Sequence, residues 1–307
     1  MIKELIIKEN KIILSNNLIN NFCEFLDVSD KTIITYRKAI KQFLNYVNNN
    51  SIINPNREDI INFKKYLGEY CKTNTIALYL AALRRFFQWT EQKGLYPNIA
   101  VGIKAPRIDK GHKKDYLAAE QVKGILHNMS CDSLEGLRNY AIMALMTTGG
   151  LRTIEIVRAN VEDIRIVGGV TVLYIQGKGK TDKTDFIKLA PQVTQAIADY
   201  LTKRGQVKGS DPLFVSCSRR NKGQRLTTRT ISYVCKNALR QNGFNSIRLT
   251  AHSLRHTAVT LALLAGLSLA EVQLFARHRN IATTQIYAHN IDRMKSQCEN
   301  VIASAIF

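Results

Sequence analysis

The sequence predicts a mainly α-helical protein that carries one small antiparallel β-sheet and divides into two domains. Three observations lead to this fold class. Apolar residues recur at helical spacing along most of the 307-residue chain, as in amphipathic helices. Two short runs, 170–175 and 185–189, flank a glycine-containing turn in the manner of a β-hairpin. Glycine and proline residues between 94 and 106 interrupt the helical periodicity, and a chain of this length usually forms two domains.

The first domain, 1–105, is predicted to be a bundle of four short helices. Asp30 can cap the second helix, and Asn56 can open the third because acidic residues follow it in the first turn. The apolar face of the second helix is formed by Ile33, Tyr36, Ile40, Phe43, Leu44 and Val47. The four helices are expected at 16–26, at 30–50, from residue 56 onwards and at 74–93.

A basic linker is predicted at 106–115, and a second domain at 116–307. The linker is polar, so it is either a solvated tether or a segment that lies along a polyanion. In the second domain the apolar spacing predicts helices on both sides of the hairpin, at 119–129, 134–148, 191–204, 227–242, 253–265 and 268–276. The second domain is therefore expected to be of mixed α/β type.

The chain is strongly basic. Lys and Arg number 44 against 24 Asp and Glu, which gives a formal net charge of +20 and a pI near 9.8. Residues 1–107 carry +7 of this charge and residues 108–307 carry +13. A basic excess on both halves favours a polyanionic partner. Nucleic acid is favoured over a membrane, because the sequence has no apolar run of about 20 residues.

The cysteines and the N-terminal segment predict a cytoplasmic protein. The six cysteines are scattered and form no Cys-x-x-Cys pair, so neither a zinc site nor a disulfide framework is expected. The first residues, Met-Ile-Lys-Glu-Leu-Ile-Ile-Lys, lack the apolar core of a signal peptide. Reduced thiols in a reducing compartment are the expected state.

Two basic residues of the second domain lie in glycine-containing motifs. Arg152 lies in Gly-Gly-Leu-Arg-Thr-Ile-Glu after an apolar helix, and Glu155 is placed to orient its guanidinium. A guanidinium donates two parallel hydrogen bonds to a phosphate, but a cation at a helix end also interacts with the helix dipole. Lys178 lies in the hairpin turn, where it is either a proton donor to a departing oxygen or an ordinary exposed lysine. Lys180 and Lys183 are alternatives for the same role.

The motif His-Ser-Leu-Arg-His places His252, Arg255 and His256 together at the start of a helix, where phosphate binding is favoured. Ser253 is expected to cap this helix. Zinc binding by His252 and His256 is a less favoured alternative. No glutamate follows the first histidine, and no cysteine or acidic residue lies close in sequence to complete a site. His256 is interpreted as a structural residue of the helix.

His278 and Tyr287 are nine residues apart, which is about 2.5 turns of an unbroken helix and would place them on opposite faces. For both to serve one site, the helix must be interrupted, and the segment 279–284 offers polar residues for a break and a cap. A tyrosine titrates near 10 and needs assistance to act as a nucleophile. Tyr287 can equally be a half-buried packing residue.

Together these motifs resemble those of the tyrosine recombinase (phage integrase) family in residue type, order and spacing. Gly-Leu-Arg-x-x-Glu is similar to the family's first arginine motif, His-x-x-Arg to its histidine–arginine motif, and Tyr-Ala-His to the segment of its nucleophile. The chain departs from the family at Gly149, where threonine is frequent, and at Ala276 and Arg277, where Leu-Gly commonly precedes the histidine. The resemblance implies a SAM-like core-binding domain followed by a catalytic domain.

The resemblance also implies a mechanism. Tyr287 would attack the scissile phosphate of DNA, forming a 3′-phosphotyrosyl link and releasing a 5′-hydroxyl. Lys178 would protonate the leaving oxygen, and His252 would assist proton transfer at the nucleophile. No metal, ATP or other cofactor is implied, because the covalent link stores the bond energy. The implied catalytic residues are Arg152, Lys178, His252, Arg255, His278 and Tyr287, of which the two arginines and His278 would hold the phosphate oxygens.

The implied partner is a double-stranded DNA recombination site. Four copies of the chain would exchange strands between two duplexes through a Holliday junction, and a monomer or a weakly associated protein is expected without DNA. The tail from Asp292 to Phe307 is expected to form a helix that docks on a neighbouring copy, because it carries apolar residues at Val301, Ile302, Ala305 and Ile306.

The biological role and two other classes of protein stay open. Integration or excision of a mobile element is favoured, and Xer-type resolution of chromosome or plasmid dimers is the alternative within the family. A monomeric type IB topoisomerase shares the chemistry, and a DNA-binding protein without catalysis shares the basic charge. The short chain argues against the topoisomerase, and the full set of catalytic groups argues against the inactive binder.

Overall fold

The computed structural model describes residues 16–107, 115–177 and 179–307. It divides into two compact units, Met1–Lys110 and Gly111–Phe307. The predicted fold class is confirmed, because the chain is mainly helical and carries one three-stranded antiparallel sheet. Lys178 and most of the linker predicted at 106–115 lie outside the described residues. In the described parts of the chain, every helix is too short or too polar to cross a bilayer.

The first unit is the predicted four-helix bundle. Its helices are α1 (Asn16–Phe25), α2 (Asp30–Asn49), α3 (Arg57–Tyr70) and α4 (Thr73–Gln92). Their apolar faces bury a core that is rich in phenylalanine: Phe22, Phe43, Phe63, Phe86 and Phe87. Because these rings remove a large apolar area from water, the core stabilises helices that are individually short.

The predicted caps of this bundle are half correct. The Asn56 side chain accepts a hydrogen bond from the Glu58 amide at 2.7 Å, so Asn56 opens α3 as predicted. The Asp59 carboxylate in turn accepts a hydrogen bond from the Asn56 amide at 2.8 Å, which completes a capping box. The prediction for Asp30 is wrong. Ser29 holds the extended capping position, and Asp30 is the first helical residue of α2, where its charge suits the helix dipole.

The second unit packs helices around a small sheet. α6 lies at its centre and contacts both α8 and α10, and its buried apolar residues belong to one continuous core. In the described part of this unit the helices are α5 (Ala119–His127), α6 (Leu134–Gly149), α7 (Thr153–Arg158), α8 (Pro191–Arg204), α9 (Thr228–Gln241), α10 (Ala251–Leu264), α11 (Leu269–Ala276), α12 (Ile281–Lys295) and α13 (Cys298–Ile306).

The sheet contains the predicted hairpin and one further strand. Its strands are β1 (Ile164–Val167), β2 (Val170–Ile175) and β3 (Asp185–Lys188), in the order β1-β2-β3 and antiparallel throughout. Leu173 of β2 lies opposite Ile164 and Ile187 of its two neighbours. β3 packs closely against the end of α6, since a Cβ added to Gly149 would lie 2.7 Å from the Ile187 side chain. This close approach explains why glycine stands at position 149.

Two helix starts near the end of the chain differ from those expected. α10 begins at Ala251 with Thr250 at its cap, so the prediction that Ser253 caps this helix is wrong. The Ser253 hydroxyl lies one turn inside the helix and accepts a hydrogen bond from the Thr250 amide at 2.9 Å. α12 continues to Lys295, so the C-terminal tail helix is α13 and does not begin at Asp292.

Candidate active site

Three connections of the second unit meet at one place. The first is the turn between α6 and α7, which carries Arg152. The second is the start of α10, with His252 and Arg255. The third is the connection from α11 to α12, which carries His278, and α12 itself carries Tyr287. The structure therefore brings together five of the six implied catalytic residues, and the sixth, Lys178, lies outside the described residues.

Gly150 caps the C-terminal end of α6 and contributes its backbone to the site. It adopts a left-handed conformation with φ 55° and ψ 33°, which favours glycine. A Cβ at this position would lie 3.2 Å from ring atoms of Phe275. Its carbonyl oxygen accepts a hydrogen bond from Arg255 Nη1 at 2.6 Å and another from Arg277 Nη2 at 3.1 Å. The left-handed conformation of Gly150 thus ends α6 and directs the Gly150 carbonyl oxygen at two guanidinium groups.

A buried carboxylate orients Arg152. Glu155 is 0% exposed, and its Oε1 accepts a hydrogen bond from Arg152 Nη1 at 2.8 Å. Its Oε2 accepts one from the Arg152 backbone amide at 2.8 Å and one from Arg277 Nη2 at 3.2 Å. A buried charge needs such partners, because burial in protein removes its hydration. The Arg152 side chain remains 30% exposed, so its guanidinium is oriented by the protein and still accessible from solvent.

Arg255 is buried at the back of the site. It is 1% exposed, and its guanidinium donates to the carbonyl oxygens of Gly150 and Ala276. Burial, followed by the positive charges of Arg152 and Arg277, lowers the pKa of Arg255 to about 9. The same two causes, burial and the charge of Arg152, lower the pKa of Arg277, and Glu155 opposes them. Two guanidinium groups thus contact the Glu155 carboxylate and that of Arg255 lies near it, which leaves an excess of positive charge for an anion to balance.

Four aromatic rings form a continuous series in which Tyr287 lies between two histidines. The His252 and His256 ring centroids are 4.7 Å apart, and those of His256 and Tyr287 are 5.0 Å apart. The His278 ring lies nearly parallel to the Tyr287 ring at a centroid distance of 6.0 Å. His278 Nδ1 is 2.9 Å from Thr284 Oγ1, and that threonine is fully buried. The structure therefore places His256, which the sequence analysis interpreted as a structural residue, directly against the tyrosine.

The expected interruption between His278 and Tyr287 is present. α11 ends at Ala276, and Arg277 follows in a left-handed conformation. Asn280 then caps α12, since its side-chain oxygen accepts a hydrogen bond from the Ala282 amide at 2.9 Å. The break starts two residues before the predicted segment 279–284. It turns the chain so that the rings of His278 and Tyr287 lie next to each other, with their centroids 6.0 Å apart.

Tyr287 is a buried phenol that is neutral at neutral pH. It is 5% exposed, and this burial raises its pKa to about 12. The positive charges of Arg255 and Arg152 act in the opposite direction and lower the pKa. At pH 7 the phenol is therefore protonated, and an attack by its oxygen requires removal of that proton.

The two alternative lysines of the hairpin are engaged in ion pairs. Lys180 Nζ is 2.8 Å from Asp185 Oδ2, and Lys183 Nζ is 2.5 Å from Asp163 Oδ2. Lys178 lies outside the described residues. Among the residues that are described, no group of three or more His, Cys, Asp and Glu side chains is arranged to hold a metal ion.

A cavity of about 510 Å³ opens beside Tyr287 and His256. Arg248 and Arg293 line it, as does Glu299 from α13. α13 itself buries none of its residues, and its apolar side chains Val301, Ile302 and Ile306 are exposed. The tail helix therefore begins next to the tyrosine and presents an apolar face to solvent.

Comparison with known proteins identifies the class. A profile described as "Phage integrase family" matches residues 115–294, and one described as "Phage integrase, N-terminal SAM-like domain" matches residues 19–94. The first match alone covers more than half of the chain. The chain belongs to the phage integrase family, whose members are tyrosine recombinases.

Individual relatives agree with this assignment. The chain is 30% identical to "Tyrosine recombinase XerC" of Herpetosiphon aurantiacus over 271 residues, which cover 85% of each protein. It is 30% identical to "Tyrosine recombinase XerD" of Listeria monocytogenes over 289 residues, which cover 89% of this chain and 94% of the relative. The fold is similar to that of XerH site-specific recombinase in a post-cleavage complex with palindromic difH substrate. That match has a TM-score of 0.74 and 21% identity, and it covers 94% of this chain and 85% of the other. The family match and these relatives thus make the chain a tyrosine recombinase, and the structural similarity agrees in fold.

The raised pKa of Tyr287 predicts a pH-dependent loss of stability. In the unfolded chain a tyrosine ionises near pH 10, whereas folded Tyr287 stays protonated to about pH 12. The unfolded state therefore binds fewer protons between these values, and the wild type loses stability as the pH rises through them, by about 1.4 kcal/mol per unit of pKa difference. We expect the unfolding free energy of Tyr287→Phe, measured in urea, to fall less steeply over this interval. Equal slopes for the two proteins would contradict the burial effect.

Proposed function

We propose that this chain cuts and rejoins DNA at specific sites through a covalent 3′-phosphotyrosyl intermediate, with Tyr287 as the nucleophile. The observation that carries the proposal is the position of this phenol. Its ring lies 5.0 Å and 6.0 Å from two histidine rings, and although burial raises its pKa, the positive charges of Arg255 and Arg152 oppose that rise. Few arrangements other than an attack on a phosphate require a buried tyrosine beside two buried or oriented guanidinium groups.

The proposed step forms one bond and breaks one. Tyr287 Oη attacks the phosphorus, the bond from phosphorus to the 5′-oxygen breaks, and the 3′-phosphate remains attached to the tyrosine. The proton of the phenol leaves with the assistance of His252, and His256 lies between the two rings. Rejoining is the reverse, in which a 5′-hydroxyl attacks the phosphotyrosine and the phenol is released.

The positive side chains stabilise the transition state. Negative charge grows on the two non-bridging oxygens during the attack, and preorganised donors lower the barrier most effectively there. Arg152, Arg255 and His278 are proposed to hold these oxygens. Arg152 and Arg255 are suited to this role because Glu155 and the carbonyl of Gly150 fix their orientation before substrate arrives.

Lys178 is proposed to protonate the leaving 5′-oxygen. The hairpin carries three lysines in this region, and two of them, Lys180 and Lys183, are bound to carboxylates. Those ion pairs make Lys180 and Lys183 less suited to donate the proton, and the match of the hairpin motif favours Lys178 for this role. No metal ion or ATP is required for the proposed reaction, because a side chain supplies each charge and each proton.

The proposed assembly is a homotetramer on two duplexes in the cytoplasm, which exchanges strands in pairs through a Holliday junction. Integration or excision of a mobile element is the proposed biological role, and Xer-type resolution of chromosome or plasmid dimers is the alternative. Mapping the crossover sites in cells distinguishes them. Crossovers at the two ends of one element support the first role, and crossovers at a single chromosomal site support the second.

Tyr287→Phe is expected to abolish the covalent adduct on a nicked suicide substrate, because it removes the attacking oxygen and almost no volume. Binding of the same DNA in a gel-shift titration should stay within about threefold, since binding comes mainly from phosphate contacts elsewhere. The cleavage reaction is run in excess EDTA, and the wild type should still form the adduct, because the proposed mechanism requires no metal ion. The matched control is Tyr79→Phe, which alters an equally buried tyrosine in the first unit. A normal yield of adduct from Tyr287→Phe would refute the assignment.

Lys178→Ala is expected to slow cleavage and to be rescued by a 5′-bridging phosphorothioate, because sulfur departs without needing a proton. Arg152→Ala should not be rescued, since its defect lies in charge stabilisation. Lys180→Ala is the matched control and should cleave both substrates as the wild type does. If the sulfur substrate rescues Lys180→Ala and leaves Lys178→Ala unchanged, the proton donor is Lys180.

Removal of residues 298–307 is expected to weaken cooperative binding of a full site and strand exchange, because the exposed apolar face of α13 is proposed to dock on a neighbouring copy. Binding of a half-site should be unchanged. This truncation leaves α12 intact. The point variant Ile302→Asp should reproduce the effect, whereas Asn300→Asp adds the same charge to the same helix and should not. Full cooperativity in the truncated protein would show that the tail packs on its own subunit.

A further inference from the structure

Arg277 stands where the backbone favours glycine. It has φ 53° and ψ 45°, and among the described residues only Ser51 is another non-glycine with a positive φ. A side chain in this region is unfavourable because its Cβ approaches the backbone. The turn itself uses only the backbone, since the Arg277 amide donates to the carbonyl oxygens of Gln273 and Leu274. Glycine would form the same turn without strain, so the arginine side chain must contribute something else.

The side chain of Arg277 reaches back into the site and binds the groups that orient the other two arginines. It is 10% exposed. Its Nη1 donates to the Phe275 carbonyl at 2.7 Å. Its Nη2 donates to the Gly150 carbonyl at 3.1 Å and to Glu155 Oε2 at 3.2 Å. Arg255 also binds that carbonyl, and Arg152 also binds that carboxylate.

The shared contacts have an electrostatic consequence. Glu155 is fully buried, and with a single partner its whole charge would be balanced by Arg152. Arg277 provides a second cation on the other carboxylate oxygen. Arg152 is therefore held in place but only partly neutralised, and its positive charge remains available to an anion. A planar guanidinium suits this task because it can bridge two acceptors at once.

We infer that Arg277 is a positioning residue for DNA cleavage, which acts on the scissile phosphate only through Arg152 and Arg255. The inference rests on the proposed function, in which those two arginines hold the phosphate oxygens. Removal of Arg277 should slow the chemical step without weakening the binding of DNA. The backbone strain at this position persists because the side chain fixes two catalytic groups.

The test measures single-turnover cleavage of a nicked suicide substrate by wild type, Arg277→Gly and Arg277→Lys. Arg277→Gly removes the backbone strain together with the side chain. We expect a cleavage rate about 10- to 100-fold lower, as is typical of residues that support a catalytic group, with half-site affinity within about threefold. Arg277→Lys keeps the charge but cannot bridge both acceptors, so its rate should lie between the other two. Ser51→Gly is the control, since it relieves the same strain in the first unit and should cleave normally.

A second substrate separates positioning from general damage to the fold. A methylphosphonate at the scissile position lacks the charge of one non-bridging oxygen, so the arginines matter less to its cleavage. The ratio of wild-type to Arg277→Gly rates should shrink on this substrate, whereas a damaged fold would slow both substrates equally. Equal ratios, or wild-type rates for both Arg277 variants on the phosphodiester, would overturn the inference.

A measurement without DNA keeps the inference separate from the proposed function. In the DNA-free protein, ¹⁵N relaxation of the Arg152 Nε–H group should show a more mobile guanidinium in Arg277→Gly than in wild type. Unchanged order of this group would overturn the role of Arg277. If instead the wild type forms no adduct on any suicide substrate, the proposed function fails, and the relaxation result alone then decides whether Arg277 positions Arg152.

Discussion

The site depends on one buried carboxylate. Glu155 is fully removed from solvent, and a charge in that position is tolerated only when hydrogen bonds and opposite charges replace its lost hydration. Its partners come from two separate parts of the chain, the start of α7 and the turn after α11. The hydrogen bonds to this one carboxylate therefore hold the start of α7 and the turn after α11 next to each other. Arg255 joins them through the carbonyl of Gly150, so the arginine cluster forms as a single unit.

The break between α11 and α12 is the second requirement. A continuous helix would separate His278 from Tyr287, and the left-handed turn at Arg277 with the cap at Asn280 removes that obstacle. The turn also presents the Ala276 carbonyl to the guanidinium of Arg255. The geometry that aligns the aromatic rings and the geometry that holds the arginines thus share one short segment. Because one turn serves both purposes, few residues are needed to bring the distant motifs of the site together.

The sequence predicted the elements whose signal is local and periodic. The long helices and the hairpin follow from apolar spacing, and Asn56 was identified as a cap because acidic residues follow it. β1 and α7 have only four and six residues, too few to show a period, and β1 exposes most of its side chains. The clustering of Arg152, Arg255 and Tyr287 was expected from the resemblance of their motifs. The contacts of Arg277 with Gly150 and Glu155 join positions more than 120 residues apart in the sequence, and its only signal was an arginine in place of the family's glycine.

The burial of Tyr287 also protects the protein from unwanted chemistry. A protonated phenol that is 5% exposed offers little to small electrophiles, nitrating agents or modifying enzymes, all of which need an accessible ring or hydroxyl group. In the proposed reaction, free phosphate esters lack the extended contacts of a duplex and so supply less binding energy for removing that proton. In the proposed reaction, the same burial would keep the attacking phenol unreactive until a DNA backbone is bound beside it.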